Sequence, residues 1–171
     1  MRVAFLDYVS WDYDPDTALT RALGGTQSAV CNLARELAQR GHAVALLNGV
    51  ASPRQVAGVS CIPLARLPDD AFRRGAFDVV VVVNVAGRAA GLRGRLPPQT
   101  KLVLWVQHDV DQPRVAALAD EVEAYDHFAL ISEFQRARYI QTFHLPMERI
   151  ALMRNAASPN FMGQLDPTRP V

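Results

Sequence analysis

The chain has 171 residues, enough for one domain with a sizeable core and too few for two large ones. Apolar residues make up 50% and charged residues 20%, with 10 glycines and 11 prolines, which excludes a disordered, collagen-like or fibrous chain. Lys and Arg total 18 against 17 Asp and Glu, a net charge of +1, so no overall field favours nucleic acid or an anionic membrane; a local basic patch and peripheral membrane association stay open.

Arg2 to Leu6 reads as a first strand, followed by a polar and aromatic loop from Asp7 to Thr20 and by Gly24-Gly25. From Thr26 the positions Val30, Leu33, Ala34 and Leu37 recur at helical spacing, with Gly41 as the stop, and His42 to Asn48 reads as a second strand. Strand, glycine-bearing loop, helix and strand make a βαβ unit, whose crossover helix covers one face of a parallel sheet. Cys61 to Leu64 is a candidate short strand, and Gly87 to Pro98 holds too many glycines to assign as helix. Val79 to Val83 and Lys101 to Gln107 are too apolar for a half-exposed sheet and are expected to be central strands. The valine run is far shorter than the roughly 20 apolar residues of a membrane span, and an acidic residue rather than a basic leader precedes it, so a cytoplasmic chain is expected.

Pro113 starts a predicted helix with Val115, Leu118, Val122 and Tyr125 on its buried face. Phe128 to Ser132 returns to strand character. Ser132 and Gln135 fit a capping box, in which the serine accepts an orphan helix amide and the glutamine reaches back to the cap residue. Phe134, Ala137, Ile140 and Phe143 are predicted to bury that helix. Leu145 to Glu148 reads as a turn and Ile150 to Met153 as a last short strand. Ser158 to Val171, with Pro159, Pro167 and Pro170, reads as a linker or edge loop. There is no internal repeat, and the fold class is α/β.

In open parallel sheets the ligand crevice lies at the carboxyl ends of the strands. Four segments qualify: Gly24-Gly25-Thr26, Asn84 to Gly87, His108-Asp109 and Ser132-Glu133. Gly24-Gly25 brings backbone amides close to an oxygen-rich ligand, and the helix start behind it favours phosphate or carboxylate; a plain loop turn is the equal alternative. The dinucleotide fingerprint and the phosphate-loop motif are both absent. His108 follows a buried strand and precedes Asp109 and Asp111, where an imidazole donates to a phosphate or sugar oxygen or exchanges a proton; a structural histidine at a strand end is the rival reading. His42, His127 and His144 read as structural or surface residues. No distant third ligand joins His108, Asp109 and Asp111, so no metal is expected, and Cys31 and Cys61 form no CxxC pair and read as structural thiols. Asp7, Asp12, Asp14 and Asp16 crowd the first loop, where they contact a polyhydroxylated acceptor or solvate the segment. Trp11 and Tyr13 stack on a sugar or pack locally. The cap explains Ser132, since no nucleophile elbow surrounds it, and Arg136 and Arg138 are expected to face solvent or a partner domain.

The ordered segments GGTQSAVCNLARELAQRGHAVALL, WVQHD, ALISEFQRARYI and ERIALMRNAASPNF resemble the amino-terminal half of a retaining GT-B glycosyltransferase. The superfamily is the glycogen-synthase and sucrose-synthase-like one, family 4 type, and the resemblance covers residues 1 to 162. It implies a Rossmann-like parallel sheet with helices on both faces, one half of a GT-B architecture, with residues 163 to 171 entering an interdomain linker or tail. It also implies transfer of a sugar from a nucleotide-diphosphate sugar with retention, the amino-terminal domain shaping the acceptor side and a carboxyl-terminal domain holding most of the donor. By the same resemblance, the loop matching Gly24, Gly25 and Thr26 approaches the donor phosphates and acceptor, and the position matching His108, with Asp109 beside it, lies next to the transferred sugar. Arg154 and Asn155 match the family's Arg-Asn-Gly stretch.

The chain departs from the family at Ala156, where the Gly is usual, and at Thr26-Gln27, where many relatives carry a small residue and Glu. The acidic E-x7-E signature of the second domain does not occur, so the resemblance implies a fragment, inactive alone, whose donor half lies elsewhere. No cofactor is expected. The implied partners are a nucleotide-sugar donor and an unidentified sugar, lipid or small-molecule acceptor. The alternative is a non-catalytic sugar-recognition module or degenerate transferase subunit of the same fold. A flavodoxin-like or nucleotide-binding enzyme is more distant.

Overall fold

The computed structural model describes residues 1–66 and 76–155. The segment around Ala156 and the predicted linker from Ser158 lie outside the described residues. The five-valine strand β5 (Val79–Val83) sits inside an eight-stranded sheet, between β1 (Arg2–Asp7) and β6 (Lys101–Val106). Beyond β1 come β2 (Ala43–Asn48), β4 (Val59–Pro63) and β3 (Arg54–Val56); beyond β6 come β7 (His127–Leu130) and β8 (Ile150–Leu152). The order is β3-β4-β2-β1-β5-β6-β7-β8. Every pairing is parallel except β3 with β4, so the expected all-parallel sheet is corrected to a parallel sheet with one antiparallel edge. A short turn through Ala57 and Gly58, both at positive φ, folds β3 back against β4 where a parallel crossover has no room.

Pleating divides the side chains of these strands between two cores. Ala4, Leu6, Val80, Val82, Leu102 and Leu104 point to one face, and Val3, Phe5, Val81, Val83 and Trp105 to the other. The first face is covered by α3 (Ala89–Arg93), α4 (Pro113–Ala116), α5 (Leu118–Glu121) and α6 (Glu133–Phe143). The second is covered by α2 (Gly25–Gln39), which buries Val30, Cys31 and Ala34, with α1 (Thr17–Thr20) beside it. Helices on both faces of a largely parallel sheet make the fold Rossmann-like. No helix among the described residues is long and apolar enough to cross a membrane.

α1 lies within the segment read as a loop and α3 within Gly87 to Pro98, where no helix is assigned from sequence, and two further helices differ in course or buried face. The helix expected from Pro113 breaks into α4, α5 and a 3₁₀ turn at Val122–Ala124, although Val115, Leu118 and Tyr125 are buried as the spacing predicts. This irregular stretch delivers the Glu121 carboxylate to the amides of Ala89 and Ala90, 2.9 and 3.3 Å away, and so caps α3. In α6 Phe143 is buried and Ile140 packs against the core as the spacing predicts, but Phe134 and Ala137 are exposed, and Gln135 and Tyr139 are buried in their place. Gln135 causes the rotation: its Nε2 donates to the carbonyls of Val106 (3.2 Å) and His108 (2.8 Å), which pulls a polar residue inward. Ser132 caps α6 as read, its Oγ accepting from Gln135 N at 3.1 Å, but Gln135 Oε1 accepts from Ile131 N and not from the cap residue.

Candidate functional site

The strand order reverses direction between β1 and β5, and ligands of open α/β sheets bind at the carboxyl ends of the strands at such a switch point. A cleft of about 390 Å³ opens there, lined by Asp7 to Trp11, Thr26, Gln27, Asn84, His108 and Arg114. Four separate loops therefore meet, and one residue joins three of them. Asn84, directly after β5, takes the left-handed conformation (φ 59°) that Asn tolerates better than most residues. From that corner its Nδ2 donates to Thr26 Oγ1 (3.1 Å), while its Oδ1 accepts from Gln107 N (2.7 Å).

The long helix α2 aims its start at this cleft. Gly24 is the N-cap and has no side chain to offer, so the first-turn amides of Gly25, Thr26 and Gln27 carry no side-chain cap. A Cβ at Gly25 would meet nothing within 4 Å, whereas one at Gly24 would lie 2.6 Å from Gln27 Oε1. Gln27 is buried because its Nε2 donates to Asp7 Oδ2 at 3.0 Å, and the Tyr13 hydroxyl donates to the same oxygen at 2.7 Å. Tyr13 is fully buried, so of its two readings local packing holds; Trp11 is 53% exposed. The backbone of Ser10 and Trp11 rests on Gly49, where a Cβ would come within 2.4 Å of Ser10 C.

His108 is half-buried, and its ring nitrogens hydrogen-bond to none of the described residues. Its carbonyl is held by Gln135 Nε2 and by the Tyr139 hydroxyl (2.9 Å), so α6 fixes the loop from behind. Burial pushes the imidazole below its ordinary pKa of 6.5, and the charge of Arg114 pushes in the same direction. The shift favours the neutral ring at pH 7, with one nitrogen able to donate and the other to accept.

Of the candidate residues named in the sequence, Asp7, Trp11, Thr26, Asn84 and His108 share this cleft, with Gly25 next to Thr26 in the chain. Gly24 opens on a neighbouring hollow of about 590 Å³ with Trp11 and Arg21. Asp109 pairs with Arg138 at 2.9 Å, as does Asp111, so this part-exposed arginine is held by two carboxylates of the segment after β6. Arg154 and Asn155 line a separate cavity of about 220 Å³ between α2 and Trp105, and Asn155 Nδ2 donates to Gln107 Oε1 at 3.1 Å. The indole nitrogen of Trp105, on the wall of that cavity, is buried without a hydrogen-bond partner among the described residues. The first-loop acids are largely engaged internally: Asp12 and Asp14 with Arg54, Asp16 with Arg35, and Asp7 as described.

The sequence reading placed Asn84 only as the start of one of the four strand-end segments, noted Gln27 only as a departure from the family, and did not name Arg114. For Arg114 a signal existed, since a cation in the first turn of a helix is disfavoured by the helix dipole and needs another reason to be there. Among the described residues, no group of three or more His, Cys, Asp or Glu is placed to hold a metal ion. The arrangement supplies uncapped amides, a neutral imidazole and a guanidinium around a polar cleft, a set suited to holding an oxygen-rich anionic ligand. No protein-family model matches the chain, and no curated protein matches its sequence.

Proposed function

We propose that this chain is the amino-terminal, acceptor-side domain of a retaining GT-B glycosyltransferase of family 4 type, which in its full-length form transfers a sugar from a nucleotide-diphosphate sugar. The observation that carries this reading is the convergence of the α2 amino terminus and His108 on one cleft at the β1/β5 switch point. The uncapped amides of Gly25 and Thr26 favour the diphosphate that develops charge as the glycosidic bond breaks. The neutral His108 ring holds a sugar hydroxyl without adding a cation next to the oxocarbenium-like carbon. A second domain supplies the remaining donor contacts.

The test is release of nucleoside diphosphate by the full-length gene product from a panel of UDP-, GDP- and ADP-sugars. His108→Ala is expected to lower turnover by about 100-fold or more while the urea midpoint stays near that of the parent. Absence of release from every donor, or equal turnover in the variant, overturns the reading.

A further inference from the structure

The charges around the cleft are divided between two ends. At its foot, Asp7 is 2% exposed, and its Oδ2 accepts from two neutral donors, Tyr13 and Gln27. Its Oδ1 takes no hydrogen bond from the described residues, and no cation among them is paired with it. A buried carboxylate without a cation is costly unless other donors reach it. A ligand hydroxyl in the cleft is such a donor. At the rim, Arg114 is exposed and makes no ion pair with a described residue. Its backbone carbonyl accepts from Ala86 N at 3.0 Å, which sets it beside the loop that carries Arg88. The Arg88 guanidinium lies 4.9 Å over the ring of Tyr8, another residue of the cleft wall. The nearby acids do not neutralise this rim, because Asp109 and Asp111 are turned to Arg138 and Glu121 is spent on the α3 amides.

We propose that the acceptor is a phosphorylated polyol, with its hydroxyls on Asp7 and His108 and its phosphate on Arg114 and Arg88. This rests on the transferase reading for the word acceptor, but the ligand chemistry follows from the two ends of the cleft alone. Hydroxyls are donors and suit the open carboxylate oxygen, while a phosphate set directly against Asp7 Oδ1, away from the α2 amides, would be repelled. At the rim it meets the Arg114 guanidinium, with that of Arg88 over the neighbouring Tyr8 ring, and no carboxylate of the described residues pairs with either.

Calorimetric titration of the full-length gene product tests this with glucose 6-phosphate and glycerol 3-phosphate against glucose and glycerol. Each phosphorylated polyol is expected to bind about tenfold or more tightly than its neutral counterpart, a difference of about 1.4 kcal/mol. The double variant Arg88→Gln, Arg114→Gln removes that difference, while Asp7→Asn weakens the neutral and phosphorylated forms alike. Phosphatidylcholine vesicles with and without phosphatidylglycerol separate the two sources of the phosphate. Retention only on the anionic vesicles, lost in the double arginine variant, assigns the phosphate to a lipid headgroup. Equal affinity for charged and neutral ligands together with no vesicle retention, or a preference that survives the arginine variant, overturns the proposal. Phosphate preference without nucleoside diphosphate release from any donor overturns the transferase reading and leaves this site standing.

Discussion

His108 and Arg114 form a coupled pair at the residue scale, a neutral imidazole beside a guanidinium on one wall. The folded chain binds the His108 proton at lower pH than the unfolded chain does. Stability from this group is therefore intact above the ordinary 6.5 and is lost as the pH falls through the folded value. In an NMR titration the His108 ring is expected to show a midpoint below 6.5, and Arg114→Gln is expected to move it upward; a midpoint at or above 6.5 in the parent contradicts the picture. The choice of His108 was legible because it follows an apolar strand. Asn84 was harder to single out: that it would follow β5 was plain, but its left-handed corner and its bonds to Thr26 and Gln107 exist only once three distant segments meet. Asp7 read as one of four acids in a polar loop, and only the burial of Tyr13 and Gln27 around it sets it apart.

α6 shows at the element scale how a single polar residue overrides an apolar pattern. Placing Phe134 and Ala137 inward satisfies hydrophobic spacing, but it would leave the carbonyls of Val106 and His108 without the Gln135 amide. Each buried hydrogen bond contributes about 0.5–1.5 kcal/mol, and the three that the inward Gln135 makes, to Val106, His108 and Ile131, together match the gain from burying one large apolar side chain. Phe134 stays 68% exposed, with the Arg138 guanidinium 5.8 Å from its ring centre. Ser132→Ala is expected to cost about 1 kcal/mol in urea unfolding, the usual cost of losing an N-cap. Gln135→Leu is expected to cost more, about 2 kcal/mol, because it removes the bonds to both carbonyls and to Ile131 N. Equal stability of the two variants would show that capping alone holds the helix. The capping box was legible from its spacing, whereas the direction of Gln135 depends on strands 27 to 29 residues earlier in the chain.

Over the whole molecule, the central position of the valine strand and of Lys101–Val106 followed from their unbroken apolar character, since strands covered on both faces have no polar side. The antiparallel edge β3 was not legible: Arg-Gln-Val has no strand-like apolar alternation, and Arg54 belongs there because Asp12 (2.5 Å) and Asp14 (2.8 Å) of the first loop bind it. Both cysteines are free and lie in the core under α2, in agreement with their reading as structural thiols. Burial, and next the charge of Asp14, raise the Cys31 thiol to about 12 and the Cys61 thiol to about 11. Neither forms a thiolate at neutral pH, so both are expected to react with a thiol reagent only on global unfolding. Their labelling curves in urea are then expected to coincide with the loss of circular dichroism, and fast labelling of either thiol in the native protein contradicts this. The edges of the sheet also bear on behaviour at high concentration. Among the described residues the outer strands β3 and β8 are three residues each, and the central strands are flanked on both sides by neighbours. A second chain approaching either border finds too little open backbone to extend the sheet, and the ion-paired Arg54 sits on one of those borders, so the fold guards itself against edge-to-edge aggregation.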